Sequence, residues 1–315
     1  MPNYAVIDVG SNSIRLVVYA VPNDKQSVYT RDDFSTLAND KVMAGLAAYV
    51  VDGVFTPAGI KKATSTIKAH LKHASYFSCK KVSVFATAVL RNAKNSAEAI
   101  QAIERGAGCK IDLISGEDEA LLGFAGASSE ICIANGVAVD IGGGSTELTL
   151  VKDEVPVACK SIPQGSLSSF AGHVQGILPS PNEARGIREA FDANLNDQIN
   201  PAEYRADKLY GIGGSVRAAA KMLMVRSDDR TRPKTLYRTD IEDLLASCEN
   251  DACAYAHDAL VAAPERIHTL TPGCIILSEV MRQLDAKSIR VCKCGIREGY
   301  LITRILKAKV AHPCS

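Results

Sequence analysis

Two stretches of the chain repeat one pattern of apolar and polar positions. In the later one, the apolar run Val137-Ala-Val139 leads into Asp140-Ile-Gly-Gly-Gly-Ser-Thr-Glu147, and a second run, Leu148-Thr-Leu-Val151, follows. Short apolar runs bounded by glycine predict buried strands, so the pattern reads strand, turn, strand. The earlier stretch is Val6-Ile-Asp8-Val-Gly10-Ser-Asn-Ser-Ile-Arg15-Leu-Val-Val-Tyr19. Laid on the later one without a gap, it matches Asp8 to Asp140, Gly10 to Gly142, Ser13 to Ser145 and Leu16 to Leu148. Arg15 falls on Glu147. A spacing of about 130 residues exceeds any solenoid period. It predicts two α/β domains of one fold, each presenting a turn to a shared interdomain cleft. The expected division is 1–125 plus 299–315 for the first domain and 126–298 for the second.

Between and after the repeats the pattern predicts further elements. Residues 27–34 are expected to form a third strand. Thr56-Pro57 starts a helix with threonine as cap and proline in the first turn, and Ile60, Ala63, Ile67 and Leu71 share one face. Lys81–Ala86 is a buried strand that runs into a basic polar loop, 87–95. Ligands of open α/β sheets sit at such strand ends, although a plain strand-to-helix connection would look the same. Ser96 caps a helix ending near Gly106, and 109–114 is a strand. Ser115 and Asp118 are read as a capping box. In the second half, 161–166 is a turn after a third strand, and Ser180-Pro181-x-Glu183 opens a helix with Ile187, Phe191 and Leu195 inward. Lys208–Lys221 reads strand, glycine turn, helix. Thr239 with Glu242 boxes another helix, Thr271-Pro272 opens one running to Leu284, 288–292 is a last strand, and Gly295 opens a C-terminal helix.

Composition narrows the function classes. The 315 residues suit two ordinary domains, and 47% hydrophobic residues suffice for two cores. A net charge of +1 supplies no field for nucleic acid or membrane, and 5% aromatics without tryptophan argue against base stacking. No apolar run reaches a membrane span, and the N-terminus enters a strand without a signal peptide. The expected location is cytoplasmic. Ten cysteines scattered in apolar segments, as at Cys132, Cys159 and Cys274, fit reduced core thiols. Cys292-Lys-Cys294 lacks a second pair, and the six histidines show no ligand spacing along the chain, so no zinc motif is read.

Three glycines in succession cost backbone entropy and make sense where N–H groups must turn toward an anion. Flanking carboxylates, Asp140 and Glu147, suit a hard cation such as Mg²⁺. A tight hairpin without a ligand would carry the same pattern. Ile212-Gly213-Gly214-Ser215 before a helix is the sequence form of an anion-binding helix start. In Ser115-Gly-Glu117-Asp118-Glu119-Ala120, capping and the helix dipole account for Glu117 and Asp118. They leave Glu119, a carboxylate just before the domain crossing, as a candidate general base. The basic segment 226–238 reads either as a solvated loop or as a grip for a polyanion. The chain has no Gly-Lys pair and hence no Walker A loop, no C-x₅-R loop and no G-x-S-x-G elbow. That leaves a carboxylate-activated water attacking a phosphorus held by backbone N–H groups, arginine and metal.

With those motifs in place the chain resembles the exopolyphosphatase/guanosine pentaphosphatase family. That family belongs to the superfamily of actin, sugar kinases and heat-shock chaperones, with duplicated ribonuclease-H-like domains. The resemblance covers nearly the whole chain. Beyond the two glycine turns it is carried by Ala86–Asn95, Ile114–Ala120, Ile212–Arg217, Pro264-Glu-Arg266 and Gly295-Ile-Arg-Glu-Gly299. It implies that Glu119 is the catalytic carboxylate, that Arg91 binds phosphate, and that Asp140 and Glu147 hold Mg²⁺ or Mn²⁺. It also implies phosphate loops at Gly143, Gly144 and Ser145 and at Ser11 and Asn12, with Gly213, Gly214 and Ser215 as the third turn. The segment Lys41–Leu46 departs from the family's Arg-Leu-Gly turn, and Ser215 replaces a threonine. The implied activity is removal of the terminal phosphate of inorganic polyphosphate. The alternative is guanosine pentaphosphate as substrate; a superfamily kinase or a non-hydrolysing sensor fits less well. No nucleic acid or membrane partner is expected, and a homodimer is compatible with the family.

Overall fold

The computed structural model describes residues 1–227 and 230–310. The chain divides into two compact units, residues 1–132 together with the chain from 294 onward, and residues 133–293. The expected boundaries at 125/126 and 298/299 would have cut through the helices Gly116–Ser128 and Ile296–Tyr300. Each helix belongs whole to the first unit.

In the first unit β1 (Asn3–Val9), β2 (Ser13–Ala20) and β3 (Ser35–Met43) form an antiparallel meander. Helix α1 (Pro57–Ser75) crosses to β4 (Lys81–Ala86), then α2 (Ala88–Arg91) and α3 (Ser96–Ala107) to β5 (Ile111–Leu113), and α4 (Gly116–Ser128) follows. The strand order is 3-2-1-4-5, with β4 parallel to β1 and to β5. Alternate strand residues point to opposite faces, and both faces are covered. Ala5, Ile7, Val9, Ile14, Leu16 and Val18 pack with Ala63 and Ile67 of α1 and Ile103 of α3. Tyr4, Val6, Val17 and Tyr19 pack with Leu122 of α4 and with Tyr300, Leu301 and Ile302. Double coverage explains why these strands read as unbroken apolar runs.

The second unit repeats the plan. Strands β6 (Gly136–Ile141), β7 (Thr146–Lys152) and β8 (Val155–Ile162) form the meander. They are followed by α5 (Ser166–His173), α6 (Pro181–Gln198), β9 (Lys208–Ile212) and α7 (Gly213–Arg226). The unit closes with β10 (Thr235–Tyr237), α8 (Arg238–Asn250), α9 (Ala252–Ala262), α10 (Leu270–Gln283) and β11 (Ser288–Val291). The sheet order is 8-7-6-9-11-10, the first unit's order with β10 added antiparallel at one edge. This is the duplicated α/β fold expected from the repeat, with the ribonuclease-H-like plan that the family resemblance implies. Its core gathers Val137, Val139 and Ile141 with Ile187, Phe191 and Leu195 of α6 and Ile275, Ile276 and Val280 of α10.

Several local expectations are corrected. The third strand is Ser35–Met43; within 27–34 only Val28–Tyr29 is extended in a pair, and Arg31–Asp33 forms a 3₁₀ turn. The polar period of β3 hid it, because this edge strand has no buried residue. Residues 87–95 are not an open loop: Ala88, Val89 and Leu90 are buried in a helical turn. The cap of α3 position is Asn95, whose side chain instead exchanges hydrogen bonds with the backbone of Phe55 at 2.8 and 3.0 Å. In the α8 box the partners are Tyr237 N–H and Asp240, at 2.7 Å, rather than Thr239 and Glu242. Helices α5 and α9 were not foreseen. In the basic segment 226–238, Asp228 and Asp229 lie outside the described residues. Among the described residues eight cysteines, Cys159 and Cys274 among them, are free thiols, whereas Cys132 is disulfide-bonded. Among the described residues no helix is long and apolar enough to cross a membrane.

Candidate active site

The two hairpins place their polar residues at equal positions. Gly10 N–H donates to Ser13 O at 3.1 Å, and Gly142 N–H donates to Ser145 O at 2.9 Å. Both turns thus close with the same backbone bond. The carbonyls of each turn are then tied down from one side. Asn12 O and Ser11 O accept from Gly45 N–H and Ala47 N–H, both at 2.9 Å. Gly45, within the segment that departs from the family turn, takes a left-handed φ of 59°. In the second unit Gly142 O accepts from the N–H of Ser166 at 2.9 Å and from its hydroxyl at 3.0 Å. Gly143 O accepts from Leu167 and Ser168 N–H at 2.8 and 2.9 Å. The glycine turn therefore caps α5. Gly165 must lack a side chain, since a Cβ there would lie 2.7 Å from Gly142 O and Gly143 C. With the carbonyls committed, the N–H groups of such a turn are what remains for an anion.

Behind each turn the strand register sets two charges side by side. Asp8 is opposite Arg15 in β1–β2, and Asp140 is opposite Glu147 in β6–β7. Residues opposite in an antiparallel pair share a face with Cβ atoms about 5 Å apart. Asp8 is further neutralised by Arg297, whose Nη1 donates to Oδ2 at 2.9 Å. Burial pushes the Asp8 carboxyl above its ordinary range, against the lowering effect of Arg297 and Arg15. Burial also works to lower the Arg297 guanidinium, but the charges of Asp8 and Glu298 outweigh it and raise it. Glu298 itself accepts from Gly295 N–H at 2.9 Å and from the Tyr19 hydroxyl at 2.6 Å. Gly295 and Gly299 lie against α4 so closely that a Cβ on Gly126 would overlap the Gly295 carbonyl, and one on Gly299 the Leu122 carbonyl. The Gly-Ile-Arg-Glu-Gly motif thereby locks the C-terminal helix onto the first unit.

The pair Asp140 and Glu147 has different company. Glu147 is buried and accepts from the Ser161 hydroxyl at 2.8 Å. Asp140 presses against the start of α7. Gly213 has φ 85°, and a Cβ there would overlap Asp140 Oδ1; a Cβ on Gly214 would overlap the guanidinium of Arg266. The two glycines thus let a carboxylate and a guanidinium rest on one helix start. Burial lowers the Arg266 guanidinium, while Glu265 and Asp140 oppose that shift. The motif Pro264-Glu-Arg266 appeared in the sequence as a family mark; its place beside Gly214 became visible only in the fold. The buried Ser215 hydroxyl donates to Ile141 O at 3.0 Å and ties α7 to β6. Gln164, at 5% exposure, accepts at its backbone carbonyl from the Thr146 hydroxyl and donates from its side-chain amide to the Ser169 hydroxyl, holding the rim of the turn.

Glu119 and Arg91, 28 residues apart, meet in the first unit. Arg91 Nη1 donates to Glu119 Oε2 at 2.7 Å and to Ile114 O at 3.0 Å. Both side chains are largely covered, at 17% and 13% exposure. The expected capping box of α4 is present by half. Ser115 Oγ accepts from Asp118 N–H at 3.0 Å, but the Asp118 carboxylate turns to Arg304 at 2.7 Å.

Two carboxylates on one strand-pair face repel each other, and the Arg266 guanidinium stands beside Asp140 at the start of α7. Asp140 and Glu147 are oxygen donors, and Mg²⁺ takes one or two protein carboxylates while keeping waters and substrate phosphates. Their chemistry fits Mg²⁺ or Mn²⁺. Asp8, already facing two guanidinium groups, does not offer such a site.

Comparison with known proteins places the chain in a family. Exopolyphosphatase 1 of Mycobacterium bovis is 24% identical, covering 95% of this chain and 87% of that protein. Exopolyphosphatase 1 of Mycobacterium leprae is 24% identical over 95% and 88%. Among solved structures, an exopolyphosphatase from Cytophaga hutchinsonii shares the fold with a TM-score of 0.81 at 20% identity, covering 98% and 99% of the two chains. The Aquifex aeolicus member of the Ppx/GppA family gives 0.75 at 20% identity over 97% and 98%. The profile of the Ppx/GppA phosphatase family matches residues 23–308, and the chain belongs to that family.

Proposed function

We propose that the chain is an exopolyphosphatase, a phosphoanhydride hydrolase that removes the terminal phosphate of inorganic polyphosphate by attack of a water activated by Glu119. The observation that carries the reading is the Arg91–Glu119 contact at 2.7 Å. It puts a carboxylate able to accept a proton beside a guanidinium able to bind a phosphoryl oxygen, on a rigid helix start. Arginine carries five donors, and Nη1 alone serves Glu119 and Ile114, so the guanidinium has donors left for phosphate. The N–H groups of the turns at Ser11–Asn12 and at Gly143–Ser145 would hold phosphoryl oxygens. Asp140 and Glu147 would hold Mg²⁺ or Mn²⁺, which when bound neutralises phosphate charge. Arg266 adds a fixed positive charge next to Asp140. The absence of a phosphate-binding lysine loop or a covalent nucleophile motif favours direct attack by water over a phosphoenzyme.

The test is release of inorganic phosphate from short polyphosphate, long polyphosphate and guanosine pentaphosphate, side by side, with Mg²⁺ and without any acceptor. Polyphosphate as the fastest substrate supports the reading. Guanosine pentaphosphate as the fastest moves the activity to the alternative substrate, and no release from any of them removes the hydrolase assignment. Full activity in excess chelator would remove the metal from it.

A further inference from the structure

The first unit holds a second group of ligand atoms, unconnected with the residues above. His70 and His73 are three apart on α1 and so share a face of the helix. Asp40 lies on β3, the edge strand of the sheet. His73 Nδ1 is 2.9 Å from Asp40 Oδ2, and His70 Nδ1 is 3.4 Å from the same oxygen. One ligand atom from each residue falls within 4.8 Å of the others. The histidines show no ligand spacing together with a carboxylate along the chain, because Asp40 is 30 residues upstream of His70 and only the packing of β3 on α1 joins them.

The decisive detail is at His70, which is fully buried. Its Nε2 lies 3.2 Å from the carbonyl oxygen of Ile14. A carbonyl only accepts, so Nε2 carries the hydrogen, and in the neutral ring Nδ1 carries the lone pair. That Nδ1 is buried without a hydrogen-bond partner and aims at a carboxylate oxygen. A lone pair facing a carboxylate is unfavourable unless a cation stands between them. Metal-bound histidines are held in this way, with the second ring nitrogen donating to a backbone carbonyl.

We propose that Asp40, His70 and His73 bind one transition-metal ion of the zinc class. Zinc bonds nitrogen at about 2.0–2.1 Å and carboxylate oxygen at about 2.0–2.2 Å in a tetrahedron. The edge of such a tetrahedron is about 3.3–3.5 Å by that geometry, and the His70–Asp40 separation already has this length. The His73 side chain is 53% exposed and has room to open the remaining edge. Asp40 is 42% exposed, which leaves the fourth position to water. Imidazole ligands select zinc, copper or nickel over magnesium, so the site differs in kind from the oxygen pair Asp140 and Glu147. The ion would staple the edge strand β3 to α1. Through the His70–Ile14 bond it would also brace β2 one residue after the Gly10–Ser13 turn.

The experiment uses the full chain without an affinity tag, stripped with chelator and dialysed. Co²⁺ added to it is expected to bind at one equivalent with the visible absorption of a tetrahedral ion. Stoichiometric Zn²⁺ should displace it and a large excess of Mg²⁺ should not. His73→Ala and Asp40→Asn, both changes of exposed side chains, should each weaken binding by at least about tenfold with an unchanged circular dichroism spectrum. Asp140→Ala should bind Co²⁺ as the parent does. Zn²⁺ should raise the Tm of the parent and not that of His73→Ala. No visible absorption, absorption retained in both ligand variants, displacement by Mg²⁺, or sulfur-to-cobalt charge-transfer bands would each overturn the proposal. The last would assign the ion to cysteines.

Discussion

The hairpins β1–β2 and β6–β7 share a turn bond, a strand register and an aspartate at the same position, yet their charges are opposite in character. In the first, Asp8 meets Arg15 across the strands and Arg297 from the C-terminal helix. In the second, Asp140 meets Glu147. One aspartate is balanced by protein cations and helps hold its unit together. The other lies opposite Glu147 and beside Arg266, so two carboxylates and one guanidinium meet there. The two copies differ most clearly at one matched position, Arg15 against Glu147.

The largest effects are expected where chemistry is assigned. Glu119→Gln keeps the shape and the hydrogen bond to Arg91 but removes the base. General-base assistance amounts to roughly 10²–10⁴-fold, about 3–5 kcal/mol at ~1.4 kcal/mol per tenfold. Turnover of polyphosphate should fall on that scale while the protein still folds and binds polyphosphate. Asp140→Ala should lower turnover and flatten its dependence on Mg²⁺ together. A variant that keeps both would break the contrast between the hairpins at its more consequential end.

Asp8→Ala tests the other copy. It leaves Arg297, largely covered at 16% exposure, without its partner, and removal of one member of a covered pair costs up to about 3–5 kcal/mol. Denaturant unfolding should show a loss of that order, with turnover changed less than in Asp140→Ala. A loss below about 1 kcal/mol would put the pair in the class of an exposed ion pair and remove the structural role of Asp8.

Much of this was legible in the sequence because it rests on local signals. The strand–turn–strand repeats, the Thr56-Pro57 start and the Ser180–Glu183 capping box are each contained within a few residues, and each formed as read. What escaped was contact between distant segments. Strand β3 looks polar because it sits at an edge with neither face deeply buried, so no period announced it. Helix α5 has only eight residues and owes its position to the Gly142 and Gly143 carbonyls at its start. Arg266 beside Gly214, Arg297 beside Asp8 and Asp40 beside His70 are pairings of the fold alone. Glu119 stands in the first turn of α4, as its sequence position predicts, but its partner Arg91 could be placed beside it only by the packing of β4 and β5.

The turns themselves differ in how they are held, which allows a smaller test. Gly45, which supports the first turn, has open space where a Cβ would go. Alanine there pays only for a left-handed backbone, about 1–2 kcal/mol. Gly165, which supports the second, has none, and alanine would push on the backbone of Gly142 and Gly143. Overpacking of this kind costs about 1–3 kcal/mol, and here it should also displace the turn. Gly165→Ala should therefore raise KM for polyphosphate beyond what its loss of Tm explains, whereas Gly45→Ala should lower Tm with less effect on KM. The reverse result would make the first turn the more demanding phosphate cradle.

The smallest expected effect gives the sharpest check on the position of the base. Asp118 and Glu119 are neighbours in the first turn of α4, and a motif carried over from a family is easily misplaced by one residue. The structure separates them by their partners. Glu119 turns to Arg91 and is largely covered. Asp118 turns to Arg304, and both side chains are nearly half exposed, at 42% and 48%. An exposed ion pair contributes about 0–1 kcal/mol, and the helix start keeps its Ser115 cap, which uses the Asp118 backbone and not its carboxylate. Asp118→Asn should accordingly shift the unfolding midpoint slightly, the shift should shrink further in high salt, and kcat and KM should stay at parent values. If Asp118→Asn instead lost turnover on the scale expected for Glu119→Gln while Glu119→Gln remained active, the base would belong one residue earlier. The Arg91 contact would then be a structural pair like that of Asp8 and Arg297.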